Sequence, residues 1–489
     1  MSQSSKRFVV VSNRLPVAIY KSEDTWKIKP SPGGLVTALD PTMRQSRGLW
    51  IGWPGCPPEA PAEELLSGLP DCGYELKPVM LTSDEMSRYY SGFANKSLWP
   101  LFHDLLGHFS FDTENWLTYV EVNQRFAEVT AAEVDSDSFV WIHDYQLILV
   151  ARFLRELGFD QQLNFFLHIP FPSPDLFRRL PVSHELLEAL LEFDHLGFQT
   201  ARDRRNFIQC VKWYAPESRR KSYRRRSVIR HRGRDVKVGD YPISIDFKEF
   251  AEGATDPRVD EASWFLRENS KSHKLALGLD RLDYTKGIPE RFLAFERALE
   301  KYQDLVGNMS LIQIVVPSRL NVSEYKNLKF ELDALAGRIN ARFSRHGWIP
   351  IHYQFRELDR VQLLGHYRAC DIALITPLRD GMNLVAKEYC AAQVDNQGAL
   401  ILSEFAGAAQ QLAKGAVIVN PYDIDGTADA IYAAYSADPA EREQRMKVLR
   451  TEIKRSDVRR WLQWFLGQPR MRTVEAEPTV SETEYSPAK

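Results

Sequence analysis

Short apolar runs alternate with longer amphipathic stretches along most of the 489-residue chain. The first half contains RFVVVSNR, LWIGWPG, SFVWIHD, LNFFLHI and DHLGFQT, and the second contains LALGLD, LIQIVVPS, IHYQF, DIALIT, ALILS and AVIVN. Apolar β-branched runs followed by amphipathic helices are typical of parallel sheets that are covered on both faces. Two such series predict two doubly wound α/β domains.

The change from one series to the next lies near DYPISIDFKEF, and we place the domain boundary at about residue 245. The first domain is then 1–245 and the second 246–452. SDVRRWLQWFLGQ has apolar residues at helical spacing, which predicts a helix over 453–468 that packs back on the first domain. The polar residues 469–489 have few apolar anchors and are predicted to form a disordered tail.

The stretch TPLRDGMNLVAKEY, 376–389, follows an apolar run and predicts a strand, a turn and a helix. The first backbone N–H groups of such a helix have no partner and favour an anion. Gly381 would let the backbone approach that anion closely. Glu388 would lie about 10 Å further along the same helix face, which is the reach from a terminal phosphate to a ribose. From this stretch alone, an ordinary turn with solvated charges is an equal alternative.

Two cations follow the run LALGLD at the strand edge where such sheets bind ligands. Arg281 and Lys286 together can cover the charge of a diphosphate, Arg as a fork and Lys as a point charge. The alternative is that they pair with neighbouring carboxylates such as Asp283 and Glu290. Opposite a helix N-terminus and Glu388, the pair favours a nucleoside diphosphate.

Further polar and aromatic residues are placed where sugar hydroxyls and phosphate would need them. A lone histidine after a strand is more often structural, and aromatic residues at helical spacing are more often core. These candidates follow apolar runs or flank a predicted helix: Arg14, Tyr90, Trp99, Asp144, His168 and Arg319.

Composition narrows the function class. The formal net charge is −2, from 63 basic and 65 acidic residues, so a global attraction to nucleic acid or membrane is not expected. The chain has no apolar stretch of membrane-spanning length and no signal peptide, and its five cysteines are scattered, which predicts a reduced, cytoplasmic protein without structural zinc. The basic segment 216–234 is interpreted as a solvated hairpin or loop rather than a polyanion site.

The chain lacks the motifs of several enzyme classes. GxSxG, GxxxxGK[ST] and HExxH are absent, and no complete GxGxxG follows a strand. These absences disfavour a serine hydrolase, a P-loop NTPase, a metalloprotease and a dinucleotide oxidoreductase.

A set of motifs in order from about residue 7 to about 465 resembles the trehalose-6-phosphate synthase family: VVVSNRLPV, PGGLVTALDP, LWIGWPG, FANKSLWP, WIHDYQL, FFLHIPFPSPDLFR, LGFQT, RLDYTKGIPERF, AGRIN, TPLRDGMNLVAKEY and SEFAGAA. The resemblance implies two Rossmann-like domains facing a cleft, the GT-B architecture. It also implies a retaining transfer of glucose from a nucleotide sugar, commonly UDP-glucose, to glucose 6-phosphate. No cofactor and no essential metal are implied, and the expected partners are these small-molecule substrates.

The resemblance also assigns roles to residues. Arg281 and Lys286 would hold the diphosphate of the donor and Glu388 its ribose. His168 would lie beside the reacting glucose, so that the catalytic set is Arg281, Lys286, His168 and Asp380. The remaining donor-binding positions are Gly33, Gly34, Asp380, Gly381, Met382, Asn383 and Leu384. The acceptor-binding positions are Arg14, Tyr90, Trp99, Asp144 and Arg319.

Two positions depart from the family pattern near the sugar site. Gln146 stands where many members have a second histidine, and Pro32 precedes the glycine pair where others have a small residue. A sister activity such as glucosylglycerol-phosphate synthesis, and a catalytically silent sugar-phosphate regulator, are the alternatives. The intact diphosphate residues argue against a silent homologue. The sequence leaves open the nucleobase of the donor, the regulation of the protein and whether it forms a homo-oligomer.

Overall fold

The computed structural model describes residues 7–31, 33–69, 73–222, 225–270, 272–319 and 322–467. Two α/β lobes face each other, and we call them the N lobe and the C lobe. The strands of the N lobe are β1 Phe8–Arg14, β2 Val17–Ser22, β3 Thr25–Pro30, β4 Leu49–Trp53, β5 Glu75–Pro78, β6 Phe139–His143, β7 Leu163–Phe166, β8 His195–Phe198, β9 Arg219–Ser222, β10 Arg226–His231 and β11 Arg234–Asp240. Those of the C lobe are β12 Lys274–Arg281, β13 Met309–Val316, β14 Ile351–Phe355, β15 Ile372–Ile375, β16 Ala399–Ser403 and β17 Val417–Val419.

Helices cover both faces of each sheet. The helices before the lobe boundary are α1 Gly34–Ser46, α2 Ala62–Ser67, α3 Ser83–Glu85, α4 Trp99–Phe102, α5 Thr113–Glu133, α6 Val150–Glu156, α7 Pro174–Phe177, α8 Ser183–Leu190 and α9 Ala201–Tyr214, with a π-helix at Met86–Leu98. Those after it are α10 Phe247–Gly253, α11 Pro257–Ser270, α12 Ile288–Lys301, α13 Ser323–Phe343, α14 Arg360–Ala369, α15 Leu384–Ala392, α16 Ala409–Leu412, α17 Ile424–Ser436, α18 Pro439–Arg455 and α19 Val458–Leu466. Short 3₁₀ turns occupy Leu106–His108, Tyr145–Leu147, Tyr284–Lys286 and Gln303–Leu305.

The sheet of the C lobe is parallel throughout, with six strands in the order β14-β13-β12-β15-β16-β17. The chain reverses its direction of winding between β12 and β15, and this is the switch point where doubly wound sheets bind ligands. Arg281 ends β12, and the segment 376–383 follows β15. The predicted Rossmann-like fold is confirmed. The loop after β12 and the segment 376–383 after β15 meet at the switch point.

The nine-stranded sheet of the N lobe has the order β5-β4-β1-β6-β7-β8-β11-β10-β9. The first seven strands in this order pair in parallel. Strand β10 pairs antiparallel with both β11 and β9, and β9 forms the edge of the sheet. The basic segment 216–234 supplies this edge rather than a loop outside the sheet. In β10, Ser227, Ile229 and His231 are buried, while Arg226 and Arg230 remain exposed. This alternation lets the segment pair with the sheet and keep its charges in water.

Consecutive residues of β1 point into different layers, which shows how the sheet is covered on both faces. Val9 and Val11 join one buried cluster, and Val10 joins another that includes Trp50 of β4. A strand buried on both faces reads as a continuous apolar run, as FVVV does.

The chain passes between the lobes twice, at 241–246 and at 456–457. Helix α19 lies on the N lobe, where two of its aromatic rings pack against Trp141. The ring centroid of Phe465 lies 4.3 Å from that of Trp141, in a stacked arrangement, and the centroid of Trp461 lies 5.2 Å from it. Residues 453–455 still belong to α18, so the helix on the N lobe begins at Val458 rather than at 453. The predicted tail, 469–489, lies outside the described residues.

Within the described ranges, no helix combines the length and the apolar character needed to span a bilayer. Four cysteines in this part of the chain are buried and free: Cys56, Cys210, Cys370 and Cys390.

Candidate active site

A cleft of about 1140 Å³ opens between the lobes and is lined by residues of both. Its described lining includes no carboxylate, but it includes these five cations: Arg14, Lys96, Arg281, Arg319 and Lys326. Such an excess of positive charge in a concave site attracts anionic ligands. The cleft is therefore the candidate binding site for phosphorylated substrates.

Arg319 of the C lobe reaches into an aromatic group of the N lobe. Its guanidinium carbon lies 4.7 Å from the ring centroid of Trp99 and 5.7 Å from that of Tyr90. The Nε1 of Trp99 is buried and has no protein partner. Arg14, at the end of β1, lies over the ring of Trp53 at 4.5 Å. The structure thus brings four of the five predicted acceptor residues, Arg14, Tyr90, Trp99 and Arg319, to one end of the cleft.

Several contacts fix the position of Arg319. Its Nη1 donates to the hydroxyl of Tyr325 at 2.6 Å and lies 3.6 Å from Asp283, and its Nη2 donates to the hydroxyl of Tyr145 at 3.5 Å. The residue has a positive φ of 49°, which is uncommon for a side-chain-bearing residue. A guanidinium held in this way is preorganised for a ligand.

Tyr90 lies within the field of three arginines. Burial alone would raise the pKa of Tyr90, but Arg319, Arg14 and Arg281 outweigh it and lower the pKa below its usual value. A phenol of lowered pKa is a stronger hydrogen-bond donor to an anion. The hydroxyl of Tyr90 is therefore well placed to donate a hydrogen bond to a phosphate.

Lys286 pairs with Asp380 across the switch point, at 2.6 Å between Nζ and Oδ2. The alternative pairing with Asp283 or Glu290 does not occur. Burial would raise the pKa of Asp380, but the charge and hydrogen bond of Lys286 hold it below its usual value. The two segments predicted to bind the donor are thus joined by an ion pair.

Arg281 is exposed at the end of β12 and has no ion pair with the described residues. A free guanidinium at the carboxyl end of a parallel strand can meet a ligand without first breaking a contact. Arg281 is therefore available to a diphosphate.

The turn before α15 holds backbone donors ready. Asn383 has a φ of 77°, and its side chain accepts from the N–H of Ala386 at 3.1 Å. Helix α15 begins at Leu384, after the non-helical, positive-φ backbone of Asn383. In the described structure, the N–H groups of Leu384 and Val385 donate to no protein acceptor. These groups point from a helix N-terminus, where an anion is favoured.

Gly381 lies at a close contact between the lobes. A Cβ at this position would overlap the carbonyl oxygen of His168 in the N lobe. Its missing side chain therefore allows the two lobes to touch, and its approach to an anion stays a prediction. At Gly34, a Cβ would lie 2.9 Å from Cδ1 of Leu384, whereas Gly33 has open space around it. The glycine loop of the N lobe therefore lies against the start of α15.

Glu388 accepts from the hydroxyl of Tyr367 at 2.7 Å and is half-buried. Burial raises the pKa of this carboxyl, and the hydrogen bond from Tyr367 partly offsets that effect. Its position on α15 is consistent with a ribose partner, a role that stays a prediction.

Asp144 and His168 lie together beside Gly381. The carboxylate of Asp144 accepts from the backbone N–H of His168 at 3.1 Å, and burial raises its pKa to about 6. The Nε2 of His168 lies 3.1 Å from Nδ1 of His143, and burial lowers the pKa of His168 to about 3. Both imidazoles are neutral at pH 7, so the pair can orient sugar hydroxyls but carries no charge.

A family model settles the classification. The model described as glycosyltransferase family 20 matches residues 6–469. The chain belongs to glycosyltransferase family 20. A trehalose-6-phosphate synthase of Mycobacterium sp. (strain JLS) is 44% identical over 467 residues, which cover 94% of this chain and 95% of that protein.

Solved structures of related enzymes have the same fold. An α,α-trehalose-phosphate synthase (UDP-forming) from Burkholderia xenovorans in complex with glucose 6-phosphate has a TM-score of 0.85 at 36% identity, covering 94% of this chain and 99% of that one. An E. coli protein bound with UDP-2-fluoro glucose also has a TM-score of 0.85, at 37% identity and with 94% and 98% coverage. This family 20 chain is a glycosyltransferase with the GT-B architecture.

Sequence reasoning missed residues of this glycosyltransferase cleft. Lys96 lies in the segment FANKSLWP but was not singled out, and Lys326 lies beside Tyr325 with no motif of its own. Tyr325 could be found only through its contact with Arg319. Gln146, the family departure, is buried in the turn at Tyr145–Leu147, and Pro32 lies outside the described residues.

Proposed function

We propose that this glycosyltransferase moves glucose from UDP-glucose to glucose 6-phosphate and forms α,α-trehalose 6-phosphate with retention. The cleft carries this proposal, because its described lining has five cations from both lobes and no carboxylate. The related proteins from Mycobacterium and Burkholderia support the product and the acceptor, and the UDP-2-fluoro glucose in the E. coli protein supports the donor.

On the donor side, the residues act on the departing diphosphate. Arg281 and Lys286 would neutralise the negative charge that develops on it, and the free N–H groups at the start of α15 would donate to its oxygens. Preorganised donors of this kind contribute about 3–4 kcal/mol each to a transition state. The Lys286–Asp380 ion pair keeps Lys286 in place before the donor arrives.

On the acceptor side, Arg14 and Arg319 would hold the 6-phosphate, with Tyr90 donating from its hydroxyl. Trp99 would contact the sugar face, and Asp144 would accept from its hydroxyls. A phosphate entering a closing cleft needs several charge-assisted bonds to offset its lost hydration. Because Arg14 and Arg319 come from different lobes, the bound acceptor would favour the closed cleft.

Retention follows if the new bond forms on the face that the diphosphate leaves. The bond from C1 of glucose to the diphosphate breaks, the acceptor's anomeric oxygen bonds to C1, and its proton passes to a diphosphate oxygen. Asp380 is already paired with Lys286, and Asp144 already accepts from His168. The proposed reaction uses no carboxylate nucleophile and no resident metal.

A donor-by-acceptor activity matrix tests this proposal. Purified protein with UDP-glucose or ADP-glucose should release nucleoside diphosphate when glucose 6-phosphate is present, and activity should survive EDTA. Free glucose should be a poor acceptor. If glycerol 3-phosphate is glucosylated and glucose 6-phosphate is not, the sister activity is correct; if no acceptor works, the chain is a binding protein.

We expect acceptor use to depend on the ionisation of Asp144. Its raised pKa of about 6 means that the carboxylate is ionised above that pH and protonated below it. The KM for glucose 6-phosphate should therefore rise as pH falls through 6. The phosphate of the substrate titrates near the same pH, about 6, so Asp144→Asn is the control. If the unmutated enzyme and this variant have parallel pH profiles, Asp144 does not contribute.

A further inference from the structure

The two crossings between the lobes are tied to each other. The first leaves the N lobe where Ile243 N–H donates to Gln199 Oε1 at 2.9 Å, and it enters the C lobe at α10, which packs on α15. The second leaves α18 at Ser456 and enters α19 on the N lobe. The N–H of Val458 donates to the carbonyl of Ile245 at 3.0 Å. Residues 241–246 and 456–458 are therefore bonded to each other, and we call them the hinge region.

Lys387 lies where α15 meets this hinge region. Its side chain is fully buried, and its Nζ donates to the carbonyl of Ile243 and to Oε1 of Gln411, both at 2.7 Å. Gln411 in turn donates from Nε2 to Oγ of Ser456 at 3.2 Å. One ammonium is thus bonded directly to the first crossing and, through Gln411, to the second.

Burying the ammonium of Lys387 costs free energy, because the charge loses its hydration. Burial lowers the pKa of Lys387 to about 7, and Glu452 on α18 is the one charged group among the described residues that opposes this effect. An apolar side chain would avoid the desolvation of the charge. The hydrogen bonds of Lys387 join the helix that follows Asn383 and carries Leu384 and Glu388 to the two crossings between the lobes.

We propose that Lys387 is a positioning residue that couples α15 to the hinge, so that closing of the lobes brings the start of α15 into place against the donor. The inference rests on the proposed function, because its kinetic part needs turnover and its scattering part needs UDP and glucose 6-phosphate to bind. When the hinge turns, the carbonyl of Ile243 and the side chain of Gln411 move with it. Through Lys387 this movement is passed to α15, and hence to Leu384, which packs against Gly34 of the opposite lobe.

The test compares Lys387→Met with Lys387→Arg, and with Lys414→Met as a control, because Lys414 is an exposed lysine of the same lobe. Lys387→Met should bind UDP alone within about twofold of the unmutated protein and yet turn over about 10- to 100-fold more slowly. Small-angle scattering should show that UDP and glucose 6-phosphate contract the unmutated protein but not this variant. Lys387→Arg, which keeps a cation and its donors, should recover part of the turnover, and Lys414→Met should behave as the unmutated protein.

Two results would overturn the coupling. One is a Lys387→Met variant that contracts and turns over normally, and the other is a loss of UDP affinity as large as the loss of turnover, since that would indicate a damaged helix. If Lys387→Met does not fold, Gln411→Leu removes the bonds of Gln411 to Lys387 and to Ser456 and leaves the bond of Lys387 to Ile243. This variant should reduce both contraction and turnover, and unchanged values would also refute the coupling. The scattering measurement needs no turnover, so an inactive unmutated protein would refute the proposed function and leave the hinge test intact. No contraction of the unmutated protein would refute the hinge.

Discussion

Replacing Arg281 by alanine should lower turnover by about 100-fold or more while the fold is unchanged. Arg281 makes no ion pair in the described structure, so its removal leaves no buried carboxylate without a partner. Its charge matters most when negative charge develops on the departing diphosphate, and the loss should therefore appear in kcat more than in KM. Steady-state kinetics with both substrates measures kcat and KM, and thermal unfolding checks that the fold is unchanged.

Arg345→Ala is the matched control for this experiment. Arg345 is an exposed arginine of the same lobe that does not line the cleft. The control should have normal kcat and normal stability. Near-normal turnover in Arg281→Ala would refute the assignment of Arg281 to the diphosphate.

The second large effect concerns the acceptor. Arg14→Ala should raise the KM for glucose 6-phosphate far more than the KM for the nucleotide sugar. Removing one partner of a charge-assisted pair costs about 2–5 kcal/mol, and the exposed position of Arg14 places the effect near the lower end, a change of roughly 30-fold. The variant should also discriminate less between glucose 6-phosphate and free glucose.

Arg205→Ala, which removes an exposed arginine of α9 in the same lobe, controls for the change in net charge. A salt titration adds a second readout, since screening should weaken acceptor binding in the unmutated enzyme more than in Arg14→Ala. If Arg14→Ala raises the KM of both substrates equally, or still prefers glucose 6-phosphate to free glucose as strongly as the unmutated enzyme does, then Arg14 is structural.

Strand ends were the most informative part of the sequence. Arg14, Asp144, Arg281 and Arg319 each follow an apolar run, and the structure places them at the carboxyl edges of parallel strands. This outcome follows from the fold, because parallel strands that end together put their next residues at one edge. The two-lobe α/β fold could be predicted for the same reason.

Contacts between distant segments could not be predicted in this way. The pairing of Lys286 with Asp380 joins residues that are far apart in sequence, and local reasoning offered Asp283 and Glu290 instead. The lack of space for a side chain at Gly381 is due to a carbonyl of the other lobe. Lys387 reads as an ordinary helix lysine until its buried hydrogen bonds are seen.

The central claim is that the cleft transfers glucose from a nucleotide to a sugar phosphate, and ¹³C NMR with UDP-glucose labelled at C1 tests it most directly. With unlabelled glucose 6-phosphate as acceptor, the label should move from the donor into a non-reducing α,α-linked disaccharide phosphate. The reducing-end signals of the acceptor should decrease as this product forms. The account is contradicted if the label appears in free glucose, or in a product of inverted configuration, or in a disaccharide that keeps a reducing end.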